Sequence, residues 1–349
     1  MKPDRSPIRV DLSRPRIARG GKFVARFWLT IFSVIAIAHG FIFPGIGFSQ
    51  TPLPAAKPIP RMQVVPQPYD QASVLRDGTE ITRYHFGKSL NRPFLFPING
   101  PSHRSLTRMG HPRDPNSHSH HNSVWISHND VNGVGFWGDT AKSGRIVHQR
   151  VIRYEDTDRE AIIEVANAWQ DDKGKTLLDE QRRMRVLPLP DGQWMLVLDL
   201  RLTAKSDPVT FGKTPFGLLG VRMAKTIGVH DGGGLIRNSE GGENEKGVFW
   251  KRAKWVDYSG NITPTSAEGI TLFDHPANPN HPTVFHVRDD GWMGASLTHE
   301  EPLEITKEKP LKLCYGLFVH AGVPSLDALG KQYQVFMELQ EPALENVKK

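Results

Sequence analysis

A single cysteine, Cys314, stands among the 349 residues, so no internal disulfide can form and the fold must rest on burial of apolar side chains. The sequence has no Gly-x-x-x-x-Gly-Lys loop, no His-Glu-x-x-His helix and no Gly-x-Ser-x-Gly elbow. Their absence removes the main signatures of phosphate cradling, zinc peptidase and serine hydrolase chemistry. Asp231-Gly232-Gly233-Gly234 opens no βαβ unit and reads as a turn, so no dinucleotide cofactor is implied. Repeats of solenoid or propeller period are missing. An excess of basic charge is also missing from most of the chain: the formal net charge is +7, but residues 50–349 carry 36 Lys and Arg against 35 Asp and Glu. Nucleic-acid binding, which displaces counterions from phosphates with a basic stripe, has no compositional support.

The basic excess sits at the start. Lys2, Arg5, Arg9, Arg14, Arg16, Arg19, Lys22 and Arg26 precede an apolar run from Phe27 to Phe48. His39, Gly40, Pro44 and Gly45 interrupt that run and leave it short of the ~20 apolar residues of a bilayer span. This pattern predicts a signal peptide over residues 1–49, with Gly47 and Ser49 as the small residues before a cut at Gln50. No integral span is expected after its removal, and the mature protein is expected in the periplasm or secreted. Residues 50–68 hold six prolines and read as a stiff tether. A single domain is expected over 69–345.

Within that domain the dominant period is two. Leu196, Leu198, Leu200 and Leu202 alternate with Val197, Asp199, Arg201 and Thr203, which puts one face in a core and leaves the other mixed. Segments 145–154, 161–169, 182–187, 283–288 and 311–320 follow the same rule between Gly, Pro, Asp or Asn. The expected fold class is all-β, a large antiparallel β-sandwich. One helix is expected near the C-terminus, opened by Pro324 and Ser325, with Leu326, Leu329, Tyr333, Phe336 and Met337 on one side.

Polar chemistry concentrates around residues 118–130. Seven of the fourteen histidines that follow residue 49 fall between His103 and His148, with His118, His120, His121 and His128 closest together. On extended chain His118 and His120 project to one side, and with His121 they form a candidate set for a divalent metal, zinc or else copper or iron. The same imidazoles, with pKa values near neutrality, are candidates for acid–base catalysis or for binding sugar hydroxyls. His120, His121 and His128 are the catalytic candidates, with Glu240 of a glycine-rich loop as a carboxylate base. Trp125 and Trp137 offer flat apolar faces, and Asn132 lies in the Asn-Gly turn between them. His275 and Arg288 complete the candidate ligand contacts, Arg288 because its planar fork suits a carboxylate or an acidic sugar. Lys213–Gly217 and Arg222 are weaker candidates for the same cleft.

Arg92-Pro93-Phe94-Leu95-Phe96-Pro97, the His118–His121 run with Trp125 and His128, Asp130–Gly138, Gly144–His148, Glu240-Gly241, Trp255–Gly260, Asp274–Asn278 and His286–Arg288 occur in one order over about residues 80–320. Together they resemble an exported bacterial family labelled PmoA-like, or "methane oxygenase PmoA". The label's membrane methane oxidation would need several long apolar spans, and this sequence has at most one candidate. The family is similar in architecture to galactose-mutarotase-like β-sandwiches. That resemblance implies a histidine that protonates a ring oxygen and a carboxylate that removes an anomeric proton, here His120 or His121 with Glu240, although the flanking residues differ from the mutarotase motifs. The reading is therefore an enzyme acting on a carbohydrate or polyol by hydrolysis, elimination or epimerisation. Its alternatives are a non-catalytic glycan-binding module and a metal-dependent oxidoreductase.

Overall fold

The computed structural model describes residues 56–110, 118–206, 208–339 and 344. The expected signal peptide, the first part of the Pro-rich stretch and His111 lie outside the described residues. In chain order the elements are β1 (Met62–Gln67), β2 (Gln71–Arg76), β3 (Thr79–His85), β4 (Phe94–Ile98), β5 (Val124–His128), β6 (Arg145–Asp156), β7 (Ala161–Gln170), β8 (Thr176–Pro188), β9 (Trp194–Ala204), β10 (Val209–Phe211) and β11 (Gly217–Arg222). There follow α1 (Val229–Gly232), β12 (Leu235–Asn238), α2 (Asn244–Val248), β13 (Lys251–Arg252), β14 (Trp255–Thr263), β15 (Ser266–Asp274), β16 (Val284–Arg288), β17 (Trp292–Ser296), β18 (Leu303–Ile305), β19 (Leu311–Ala321) and α3 (Leu326–Glu338).

These strands build a nine-stranded sheet in the order β1-β2-β3-β4-β5-β11-β17-β16-β13 and an eight-stranded sheet in the order β12-β14-β15-β19-β9-β8-β7-β6, with β10 and β18 as a separate pair. Every strand pair is antiparallel. The alternation of β9 shows why the sheets stack. Leu196, Leu198, Leu200 and Leu202 enter the main core together with Val124, Ile126, Leu219, Val221, Phe285, Val287, Met293 and Ala295 of the other sheet. The all-β sandwich is the architecture the period-two pattern predicts.

Met195 and Val197 of β9 face the opposite way and pack with Trp255, Phe273 and Phe318 under α3, which buries Leu329, Tyr333 and Phe336 against them. Ser325 caps this helix by accepting from the Ala328 N–H at 3.2 Å. Leu326, expected on the packed side, is 40 % exposed, because it lies in the first turn, before the helix reaches the sheet.

The stretch read as a tether needs correction. Residues 62–67 form β1, paired along its full length with β2 and burying Met62 and Val64. Pro66 is tolerated there because β1 is an edge strand, where a missing N–H costs no ladder bond on the open side.

Candidate functional site

The nine-stranded sheet has a second, outer face. Since Val124, Leu219, Val221, Val287 and Met293 point into the core, strand alternation sends Trp125, Arg222, His286, Arg288 and Trp292 to the other side. Register then decides what they meet. Across the sheet run Phe94, Trp125, Gly220, Gly294 and His286 in one row, and Arg222, Trp292 and Arg288 in another. The two glycines leave a trough in the middle of the first row. A Cβ at Gly220 would lie 2.8 Å from the Trp292 ring and 2.9 Å from the Trp125 ring, and one at Gly294 would lie 2.6 Å from Trp292. The indoles of Trp125 and Trp292 therefore lie in the trough, 5.4 Å apart between centroids, and Trp137 closes against both at 5.6 and 5.4 Å. This aromatic floor is a hydrophobic cluster of its own, separate from the main core.

One buried cation fixes the wall. Arg92 is 1 % exposed, and its guanidinium donates to the His120 carbonyl at 3.1 Å and to Asn122 Oδ1 at 2.8 Å. The two N–H groups of its Nη2 are shared among the carbonyls of Phe136, Trp137 and Gly138 at 3.0, 3.1 and 2.8 Å and Asp139 Oδ1 at 2.7 Å. A single side chain thus ties together the loops on either side of β5. On this support His121 stacks on Trp125 and Trp292 at 5.1 Å each. His118 lies parallel to His121 at 4.5 Å, and His120 stands edge-on to His121 at 4.5 Å.

Floor and wall enclose a cavity of about 770 Å³ lined by His118, His120, His121, Asn129, Trp137, Pro215, Phe216, Arg222, Phe249, Trp250, His286, Arg288, Asp290 and Trp292. Its volume lies in the range of small-molecule sites. Burial lowers the pKa of His120 to about 4, an effect that the charge of Asp139 only partly offsets. Burial likewise lowers His286 to about 4, and burial with neighbouring positive groups pulls His121 far down. These three rings are neutral at physiological pH. Arg222, with no exposed surface, holds Asp290 bidentately at 2.8 and 3.3 Å. Burial alone would raise the Asp290 pKa, but the hydrogen bond and charge of Arg222 outweigh it and hold the carboxyl below its ordinary value. Among the described residues, Nδ1 of His121 and Nε1 of Trp292, on two side chains that line the cavity, find no hydrogen-bond partner. Buried polar atoms are rarely left so.

The sequence matches the model of a family of unknown function, DUF6807, over residues 71–334. The chain belongs to that family. No curated protein matches it. Among solved structures it is similar to the putative mutarotase YeaD of Salmonella typhimurium, with 10% identity, a TM-score of 0.34, and coverage of 76% of this chain and 95% of that one. It is also similar to the 4-alpha-glucanotransferase of Thermococcus litoralis, with 11% identity, a TM-score of 0.30, and coverage of 75% of this chain and 39% of that one.

In this DUF6807 member the residues singled out in the sequence separate into two groups. His118, His120, His121, Trp137 and Arg288 line the cavity, and Trp125 lies in its floor. The others lie elsewhere. His128 is three residues after Trp125 on β5, so alternation turns it to the opposite face. There it is wholly buried, accepts at Nδ1 from the Asp130 N–H at 3.1 Å and donates from Nε2 to Thr298 Oγ1 at 2.8 Å. Glu240 is exposed in the loop after β12, on the other sheet, accepting from Ser239 Oγ at 2.8 Å. Asn132 is the first of two left-handed residues in its turn (φ 51°, with Gly133 at 80°) and accepts from the Thr210 N–H at 2.7 Å. His275 stands edge-on to Phe336 of α3 at 5.5 Å.

The three imidazoles proposed as a metal set also fail to converge. His118 and His121 are parallel to within 2°. A ring-nitrogen lone pair lies in its ring plane, so two stacked rings cannot both direct lone pairs at one ion. Among the described residues no group of three or more His, Cys, Asp or Glu is arranged to hold a metal.

Sequence reasoning missed Asp290 and Trp292 and gave Arg222 little weight. Their signal lies in Gly220 and Gly294, whose meaning depends on strands that pair only in the folded sheet.

Proposed function

We propose that this protein is an exported enzyme acting on a carbohydrate or related polyol by proton abstraction, in an epimerisation or elimination, with His120 as the base. What carries the reading is the convergence of the neutral His120, His121 and His286 imidazoles on a floor of packed indoles. Indole faces suit the C–H surfaces of a sugar ring, and the imidazole and indole nitrogens suit its hydroxyls. Burial, which lowers His120 to about 4, keeps its imidazole neutral across the physiological range, the form a base needs, although its basicity is below that of a group whose pKa matches the pH. His121 lies against the floor and orients the ligand. Hydrolysis by paired carboxylates is disfavoured, because Asp290 is the sole carboxylate lining the cavity among the described residues and Arg222 occupies it.

Export rests on the leader-like sequence of residues 1–49. The PmoA-like resemblance enters the proposal as kinship without methane chemistry; among the described residues no helix is long and apolar enough to cross a membrane.

The test is exchange of carbon-bound hydrogen for deuterium in a panel of sugars incubated with the protein in D2O and read by NMR. The expected result is exchange at one carbon of at least one sugar, lost in His120→Ala while binding persists. Binding without exchange, or exchange that survives in His120→Ala, would overturn the assignment.

A further inference from the structure

We propose that the ligand of this cavity is an acidic sugar, a uronic-acid unit whose carboxylate is held by Arg288 and whose ring lies against Trp250. The inference rests on the reading of the cavity as a carbohydrate site. Two guanidinium groups reach the cavity from positions that flank Trp292 in register, and they differ in what they have left to give. Arg222 spends both terminal nitrogens on Asp290. Arg288 is half exposed, touches Glu245 through Nε at 3.1 Å, and its terminal nitrogens make no hydrogen bond to the described residues. Glu245 is itself pinned, accepting from the Asp289 N–H at 3.0 Å and donating its own N–H to Asp289 Oδ1 at 3.0 Å. Its carboxylate therefore stays on the Nε edge of Arg288, and the terminal fork remains open for a planar anion.

The distribution of carboxylates says on which side that anion sits. A second cavity of about 290 Å³ shares Arg288 and Asp290 with the first but is lined also by Glu245 and Asp289. Three carboxylates there repel an anion. The larger cavity has Asp290 alone, neutralised by Arg222, and its His120, His121 and His286 rings are neutral.

Trp250 supplies the second contact. Its indole is 49 % exposed on a backbone at φ +55°, a conformation that bulky residues rarely adopt. The ring stacks on Phe249 at 4.4 Å, and the Arg288 guanidinium lies over the same Phe249 ring at 5.6 Å. Trp250 and Arg288 thus both pack on Phe249 and both line the cavity, which offers a pyranose ring an aromatic platform and its carboxylate an open fork.

Isothermal titration of the full protein with D-glucuronate and D-galacturonate, as monomers and trimers, against glucose and galactose of equal length tests this. Uronates should bind at least about tenfold more tightly than their neutral counterparts, by the gain from a charge-assisted bidentate contact. Arg288→Gln should abolish that preference, and Trp250→Ala should weaken acidic and neutral sugars alike; both sites are exposed enough for the variants to fold, which their melting curves verify. Equal affinity for acidic and neutral sugars, a preference that survives in Arg288→Gln, or unchanged affinity in Trp250→Ala overturns the inference and leaves the carbohydrate reading standing. Failure of the wild-type protein to bind any of these sugars overturns both.

Discussion

Replacing Arg92 by alanine should cost more than any other single change near the cavity, and the size of the loss follows from its contacts. Six acceptors lose their donor: four carbonyls, the Asn122 side chain and the Asp139 carboxylate. At the ~1.5–3 kcal/mol typical of a hydrogen bond to a charged group, simple addition gives about 9–18 kcal/mol, as much as holds an ordinary domain together. The sum overstates the effect, because freed loops open and their carbonyls find water. Asp139, with 24% of its side chain exposed, rehydrates most easily. The realistic figure is that for breaking a buried ion pair, about 3–5 kcal/mol. In a domain of this size that corresponds to a fall in Tm on the order of 10 °C. Urea unfolding monitored by circular dichroism, with thermal melts in parallel, measures it. Arg92→Lys keeps the charge but cannot span both loops, so it should recover only part of the loss. A cost below about 1 kcal/mol for Arg92→Ala would refute the claim that this side chain organises the His118–Asn122 and Phe136–Asp139 loops.

Gly220→Ala should destabilise the domain by roughly 1–3 kcal/mol through overpacking of the indole floor, and the shift of Trp125 and Trp292 should appear as a change in near-ultraviolet circular dichroism. Glu240→Gln should leave stability and ligand binding unchanged, which calorimetry checks, since that carboxylate is exposed and belongs to the other sheet. His120, His128 and His286 have folded-state pKa values of about 4, below the unfolded value of about 6.5. The unfolded chain then binds more protons between those limits, so stability is complete above about pH 6.5 and declines as pH falls toward 4. A denaturation series across pH 4–8 should show that decline, and a flat profile would contradict the burial of these rings.

What the sequence disclosed followed the range over which each signal acts. Alternating leucines at 196–202 need only their own strand to declare a buried face, and the cap at Ser325 needs only the next turn of helix, so sheet and helix were both legible. The edge strand β1 was not, because six prolines in its neighbourhood outweighed the alternation of Met62 and Val64. In the site, the His118–His121 run and Arg288 could be singled out by residue type. Their partners could not: Arg222, Trp292 and Asp290 come from segments 70 residues apart and meet through the pairing of β11, β17 and β16. Glu240 and His128 looked equivalent to the true lining residues by chemistry alone. One was excluded by the sheet to which its loop is attached, the other by a single step of strand alternation.

The most direct measurement is a crystal structure of the protein with the tightest-binding sugar of the panel. Density is expected over Trp292 inside the cavity, with a hydroxyl hydrogen-bonded to one of the lining imidazoles and a ring carbon facing His120. A sugar bound elsewhere on the molecule, with this cavity holding solvent, would contradict that expectation.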